Sequence, residues 1–189
     1  MRFVGPVRAA LGMPCVFNVL GPLTNPASPK HMAVGCANRA MSPIMAAVYA
    51  ANGQTGMVYT SSEGLDEMAP TGPVSIWEFS NGKVTESEFD PTMELGLDKV
   101  TVADLKGGEP ELNAQLFRDF LAGKDVPFRT TALLNAASAI VADGHQVPAD
   151  ASLTERFKAA YAIAEETVDS GKASALLDQW ITAAQSKKA

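Results

Sequence analysis

The sequence predicts an α/β protein with a mostly parallel sheet covered by helices and a helical C-terminal region. Between residues 15 and 60, short β-prone runs alternate with a helical segment, which is typical of parallel strands joined by helices. From residue 110 onward, apolar residues recur at the spacing of amphipathic helices. The 189 residues are enough to bury one hydrophobic core, so we expect a single domain.

The first element is a helix, because Val4, Val7 and Leu11 share one face that ends at Gly12. The chain begins almost inside this helix, which favours missing sequence upstream. Residues 15–20 are β-prone and stop at Gly21-Pro22, which predicts a buried strand. The next elements are a proline-rich loop, a strand over 31–35, a helix over 44–51 and a strand over 56–60.

The second half of the chain begins with a hairpin and continues with helices. Asn81-Gly82 is a strong hairpin signal between two short β-prone runs, residues 74–79 and 83–89. Ser170-Gly171 separates the last two helical segments. The predicted helices cover 110–121, 130–142, 153–169 and 173–184.

Composition excludes several classes of protein. The net charge is −6 and the sequence contains no basic run, which disfavours binding to nucleic acid or to anionic lipid. No apolar stretch reaches the about 20 residues of a transmembrane helix, and the N-terminus does not resemble a signal peptide, so we expect a cytoplasmic protein. Cys15 and Cys36 are expected to be small buried apolar residues, while His31 and His145 stand alone.

The acidic pair Asp66-Glu67 follows the strand predicted over 56–60. Ligands of α/β sheets bind beyond the carboxyl ends of the strands, and Mg²⁺ takes one or two carboxylates together with phosphate oxygens and waters. The pair is therefore a candidate Mg²⁺ site for a phosphorylated substrate. The alternative interpretation is a solvated acidic loop.

Two further features are candidates for substrate binding. Pro22 lies among the turns that follow the run 15–20, where a rigid apolar ledge would hold one face of a flat ring. Arg8 borders the apolar stripe of the first helix, where its guanidinium can bind a carboxylate through two hydrogen bonds. The alternatives are an ordinary loop at Pro22 and, at Arg8, a packed side chain with a solvated head group.

Taken together, these residues resemble the anthranilate phosphoribosyltransferases. The resemblance is carried mainly by residues 17–27 (FNVLGPLTNPA), which form the most specific motif. Val7-Arg8, the GLDE sequence at 64–67 and the LLNAA sequence at 133–137 follow in the family's order and approximate spacing. The resemblance covers essentially the whole chain, but only the C-terminal part of the family's usual length.

The resemblance implies transfer of a phosphoribosyl group from phosphoribosyl pyrophosphate to anthranilate, in tryptophan biosynthesis, with Mg²⁺ and in a homodimer. It implies the large α/β domain of the nucleoside phosphorylase and phosphoribosyltransferase type, here partial over residues 1–189. Arg8 matches the arginine that binds the anthranilate carboxylate, and Pro22 would line the anthranilate pocket. Asp66 and Glu67 match the family's Mg²⁺-binding carboxylates.

The family's N-terminal helical domain and glycine-rich pyrophosphate loop do not occur in this sequence. We therefore expect the chain alone to be inactive or very weakly active. Two other functions remain open: a pyrimidine nucleoside phosphorylase-like enzyme, and a non-catalytic nucleic-acid-binding relative of the same fold. The acidic pair and the GPLTNP turn disfavour the first, and the net charge disfavours the second.

Overall fold

The computed structural model describes residues 3–13, 16–148 and 150–187. Its strands are β1 (His31–Gly35), β2 (Thr55–Ser61), β3 (Val74–Ser80) and β4 (Lys83–Phe89). Its α-helices are α1 (Gly5–Leu11), α2 (Phe17–Leu23), α3 (Ser42–Ala51), α4 (Pro91–Leu95), α5 (Pro110–Leu121), α6 (Arg129–Asp143), α7 (Leu153–Asp169) and α8 (Lys172–Ser186). A short 3-10 helix, Val102–Leu105, precedes α5.

The sheet is mixed, with the order β1-β2-β3-β4 in the described part of the chain. Only β1 and β2 pair in parallel, while β2 with β3 and β3 with β4 are antiparallel. The prediction of a mostly parallel sheet is therefore wrong. A parallel pair needs a long crossover, which α3 supplies between β1 and β2, whereas a loop joins β2 to β3 and the Asn81-Gly82 turn joins β3 to β4.

Helices cover both faces of the sheet. Because side chains alternate along a strand, Val58 of β2 packs towards α3, while its neighbours Met57 and Tyr59 pack towards α6 and α7. The face covered by α6 and α7 includes Leu134 of α6 and Phe157 of α7, both fully buried. β2 is therefore covered on both sides and forms the centre of the core. A further cluster joins α5, α6 and α7 through Phe120, Leu121, Leu133, Ala164 and Val168, and Ala173 and Leu177 of α8 pack against it.

The second helix corrects the strand predicted over residues 15–20. Val19 and Leu23 lie four residues apart and pack together against the α3 side of the sheet. That spacing suits a helix, so tertiary packing outweighs the β propensity of the valines and Phe17. Cys15 lies outside the described residues. The other predicted helices and strands, including 31–35 and 44–51, are confirmed within a few residues.

The first helix forms as predicted, but its apolar face is not buried. The exposed fraction is 54% for Val7 and 53% for Leu11, and α1 contains no buried residue. Gly12 ends α1 in the left-handed conformation, as the sequence predicts. The periodicity therefore predicts the helix correctly, but the apolar face that it identifies stays exposed. None of the described helices is long and apolar enough to cross a membrane.

Candidate functional site

The acidic pair lies in the loop of residues 62–73, between β2 and β3. Because β1 and β2 are parallel, Gly35 and Ser61, their last residues, lie at the same edge of the sheet. Asp66 and Glu67 are both exposed beyond this edge. The structure therefore places the pair where the sequence predicts it, at the carboxyl ends of the parallel strands.

The end of β1 approaches the main chain of this loop very closely. A Cβ atom added to Gly35 would lie 1.5 Å from the carbonyl oxygen of Asp66 and 2.5 Å from its carbonyl carbon. No side chain fits at such a distance, so position 35 requires glycine as long as the loop keeps its position. The loop is therefore packed directly on the backbone of β1.

Two side chains hold the same loop by hydrogen bonds to its main chain. The hydroxyl of Ser61 donates to the carbonyl oxygen of Glu67 at 2.5 Å. The amide of Asn135, on α6, accepts from the N–H of Met68 at 3.1 Å and donates to the carbonyl oxygen of Met68 at 3.0 Å. These bonds involve only main-chain atoms of the loop, so they restrain the backbone at Glu67 and at Met68, directly after the acidic pair.

Burial and the neighbouring charge perturb Glu67. The pKa of Glu67 is raised, first by partial burial and then by the neighbouring charge of Asp66. The pKa of Tyr59 is raised mainly by burial, and the charges of Asp66 and Glu67 raise it further. The loop thus holds two like charges together next to a buried phenol, an arrangement that a bound cation would relieve.

The donor set fits Mg²⁺ with external ligands better than a metal held by protein alone. Among the described residues, no group of three or more His, Cys, Asp or Glu side chains is positioned to hold a metal ion. Two exposed carboxylates leave most of an octahedral shell open, and Mg²⁺ usually fills such positions with water and substrate phosphate oxygens. The residues present therefore fit this ion.

A recess lies next to Glu67. It is an open, largely apolar cavity of about 620 Å³ between the acidic loop, the 3-10 helix and the start of α6. Thr131, which is 6% exposed, lines it with a buried hydroxyl that has no hydrogen-bond partner. Its lining also includes Leu65, Val102, Leu105, Lys106 and Phe128.

The other two predicted site residues lie apart from this loop. Arg8 is half-buried on α1 and borders a hollow with Gly12 and Asn18. Pro22 is exposed near the end of α2 and borders a different cavity, which reaches the start of β1. Neither Asp66 nor Glu67 lines either hollow. The described structure therefore does not bring the four predicted residues into one cavity.

Gly35, Ser61 and Asn135 support the acidic pair and were not predicted as site residues. Asparagine is a poor helix former, so Asn135 inside an apolar helical pattern is a signal that its amide has a specific partner. Gly35 and Ser61 carry no such local signal. His31 and His145, expected to stand alone, in fact contact each other with ring centres 5.8 Å apart. Cys36 is buried, as predicted.

Comparison with known proteins identifies the family. Residues 1–174 match the model of the glycosyl transferase family, a/b domain. The chain belongs to this family. It is also 48% identical over 180 residues to the anthranilate phosphoribosyltransferase of Arthrobacter sp. (strain FB24), and 45% identical over 184 residues to that of Salinispora arenicola (strain CNS-205). These alignments cover 95% and 97% of this chain but only 50% and 51% of the relatives.

Solved structures give the same result. The anthranilate phosphoribosyltransferase of Thermus thermophilus superposes with a TM-score of 0.83 at 34% identity, over 96% of this chain and 51% of that one. The Saccharomyces cerevisiae enzyme in complex with PRPP and Mg superposes with a TM-score of 0.82 at 28% identity, over 97% and 51%. The chain thus spans about half the length of the relatives it matches.

Proposed function

We propose that this chain is the α/β part of an enzyme that transfers a phosphoribosyl group from phosphoribosyl pyrophosphate to the amine of anthranilate. The main support is the anchored loop that presents Asp66 and Glu67 at the carboxyl ends of β1 and β2. Two relatives named anthranilate phosphoribosyltransferase, at 48% and 45% identity, and a yeast relative solved with PRPP and Mg make this substrate pair the best-supported choice.

In this proposal Asp66 and Glu67 hold Mg²⁺ against the pyrophosphate. The ion, when bound, stabilises as a Lewis acid the negative charge that develops on the departing pyrophosphate. The chain's own contribution is to keep both carboxylates in place, through the main-chain contacts at Gly35 and Ser61. Positioning the amine against the ribosyl carbon supplies much of the remaining rate, so no catalytic histidine or cysteine is needed.

Arg8 and Pro22 serve the acceptor. The Arg8 guanidinium binds the carboxylate of anthranilate, and Pro22 packs against its ring. A yeast relative has been solved with 4-fluoroanthranilate, a molecule of the same class. These two roles rest on the match of motifs rather than on a shared cavity, since the two residues border separate hollows in this chain. The complete enzyme is proposed to act as a cytoplasmic homodimer.

A hybrid enzyme tests the proposal. This chain would replace the matching half of the Arthrobacter relative, and the loss of anthranilate fluorescence would report phosphoribosyl transfer. We expect the hybrid to be active, D66N and E67Q to lower kcat/KM by about a hundredfold or more, and R8A to raise KM for anthranilate. R118A, which alters an exposed arginine on α5, is the control. An active hybrid that D66N and E67Q leave unchanged would contradict the proposal.

The 189-residue chain alone is expected to show background activity in the same assay. Pyrophosphate needs backbone or cationic donors as well as a metal ion, and the sequence contains no glycine-rich phosphate-binding motif. Activity would be compared with that of the hybrid at equal concentration. A rate close to the hybrid's would show that this chain binds pyrophosphate without further sequence.

A further inference from the structure

We infer that Asn135 is a positioning residue, which sets the geometry of the Asp66-Glu67 pair for the cation; the inference rests on the proposed function of that pair. Asn135 belongs to α6, and the main chain it holds lies 67 residues away in the sequence, directly after Glu67. The hydrogen bonds of its side-chain amide go to Tyr59, Met68 and Thr131. Its effect is exerted through the backbone of Met68.

The amide of Asn135 uses its full hydrogen-bonding capacity. The oxygen accepts from the N–H of Met68 at 3.1 Å and from the hydroxyl of Tyr59 at 2.9 Å. The nitrogen donates to the carbonyl oxygens of Met68 at 3.0 Å and of Thr131 at 2.7 Å. A primary amide has two donors and two principal acceptor sites, and all four are occupied here.

This pattern explains why an asparagine occupies the position. A carboxylate would place an acceptor against two carbonyl oxygens, and an apolar side chain would leave the N–H and C=O of Met68 without partners. Met68 is fully buried, so unpaired main-chain groups there would be costly. The loop would then move to reach water, and Glu67 would move with it.

The acidic pair needs such restraint more than an ordinary loop does. Partial burial and the charge of Asp66 raise the pKa of Glu67, and the same repulsion tends to drive the two carboxylates apart when no cation is present. Gly35 and Ser61 hold the main chain at Asp66 and Glu67 from the sheet edge. Asn135 adds a restraint from α6, through both main-chain polar groups of Met68.

Binding of Mn²⁺ alone, used as a paramagnetic substitute for Mg²⁺, tests the inference on the 189-residue chain. Free Mn²⁺ is measured by electron paramagnetic resonance for wild type, N135A, Y59F and D66N. We expect N135A to weaken Mn²⁺ binding by about tenfold, as loss of an outer-shell partner typically does. Y59F removes one hydrogen bond from the same amide but leaves both bonds to Met68, so its affinity should match that of wild type.

The comparison of variants separates this inference from the proposed metal site. If D66N weakens Mn²⁺ binding and N135A does not, Asn135 has no positioning role, although the metal site stands. If Y59F weakens binding as much as N135A, the effect is general loss of stability and the inference is wrong. If D66N has no effect, the proposed metal site fails and the inference fails with it. Should N135A not fold, N135S, which leaves a hydroxyl and room for water beside Met68, takes its place with the same outcomes.

Discussion

The acidic loop and the two N-terminal helices are held by this chain in opposite ways. The loop is exposed at its carboxylates, yet its main chain is restrained by Gly35, Ser61 and Asn135, which come from three different elements. Helices α1 and α2 have regular backbone hydrogen bonds, yet neither contains a buried residue. The comparison teaches that regular secondary structure and a fixed position are separate properties.

The difference matters for the proposed chemistry. Side chains that hold a cation must keep their geometry before the ion arrives, because otherwise part of the binding free energy is used to order them. The acidic loop meets this requirement within the described chain. Arg8 lies on α1, whose apolar residues Val7 and Leu11 remain exposed, and Pro22 lies on α2, whose Val19 and Leu23 are only partly buried. The metal side of the proposed site is therefore better defined here than the anthranilate side.

The largest expected contrast is between two leucine-to-alanine variants, one on α6, which holds the acidic loop, and one on α1. L134A removes a fully buried side chain of α6, next to Asn135, and should lower the free energy of unfolding by about 2–5 kcal/mol because it leaves a cavity. L11A alters a side chain that is 53% exposed and should change the free energy of unfolding by about 0.5 kcal/mol or less. Denaturant unfolding measures both. A large loss in L11A would show that α1 is part of the cooperative core.

A glycine-to-alanine pair sharpens the comparison at the backbone. In G35A the new methyl group overlaps the carbonyl of Asp66, so the loop must move, at a cost of about 1–3 kcal/mol. G5A, at the start of α1, places its methyl group in open space and should stabilise the helix by up to about 1 kcal/mol. G35A should also weaken Mn²⁺ binding, whereas G5A should not. Equal stability of the two variants would contradict the close contact described here.

The smallest expected effect concerns pH. Because the pKa of Glu67 is raised above its ordinary value of 4.5, the folded chain binds more protons than the unfolded chain between those two pKa values. The free energy of unfolding of the metal-free chain should therefore fall as pH rises through this window. E67Q should remove the decline, which is below about 1 kcal/mol because solvent screens an exposed carboxylate. Unfolding curves recorded from the ordinary pKa of glutamate up to neutral pH measure it.

Magnesium should change the relative stability of wild type and E67Q in that experiment. A ligand that binds only the folded chain stabilises it by mass action, so added Mg²⁺ should stabilise wild type more than E67Q. Equal stabilisation of the two proteins would contradict a role for Glu67 in holding the ion. The α1 variant L11A, which leaves the acidic loop unchanged, should respond to Mg²⁺ as wild type does.

Local patterns in the sequence were sufficient for most elements. The helices α5 to α8, the hairpin at Asn81-Gly82 and the strand before the acidic pair follow from periodicity and turn residues, whose effects extend over only a few positions. The position of the acidic pair also follows from the sequence, because a polar loop after a buried strand has a known place in α/β folds.

Contacts between distant residues account for what the sequence alone did not determine. The direction of β3, the helix at Phe17–Leu23 and the exposure of α1 all depend on which surfaces meet, and no local spacing specifies that. Gly35 lies under Asp66, and Asn135 holds Met68, only because a parallel strand pair and α6 bring them to the same edge of the sheet. Chemical identity can be read residue by residue, whereas restraint requires partners that only the folded chain brings together.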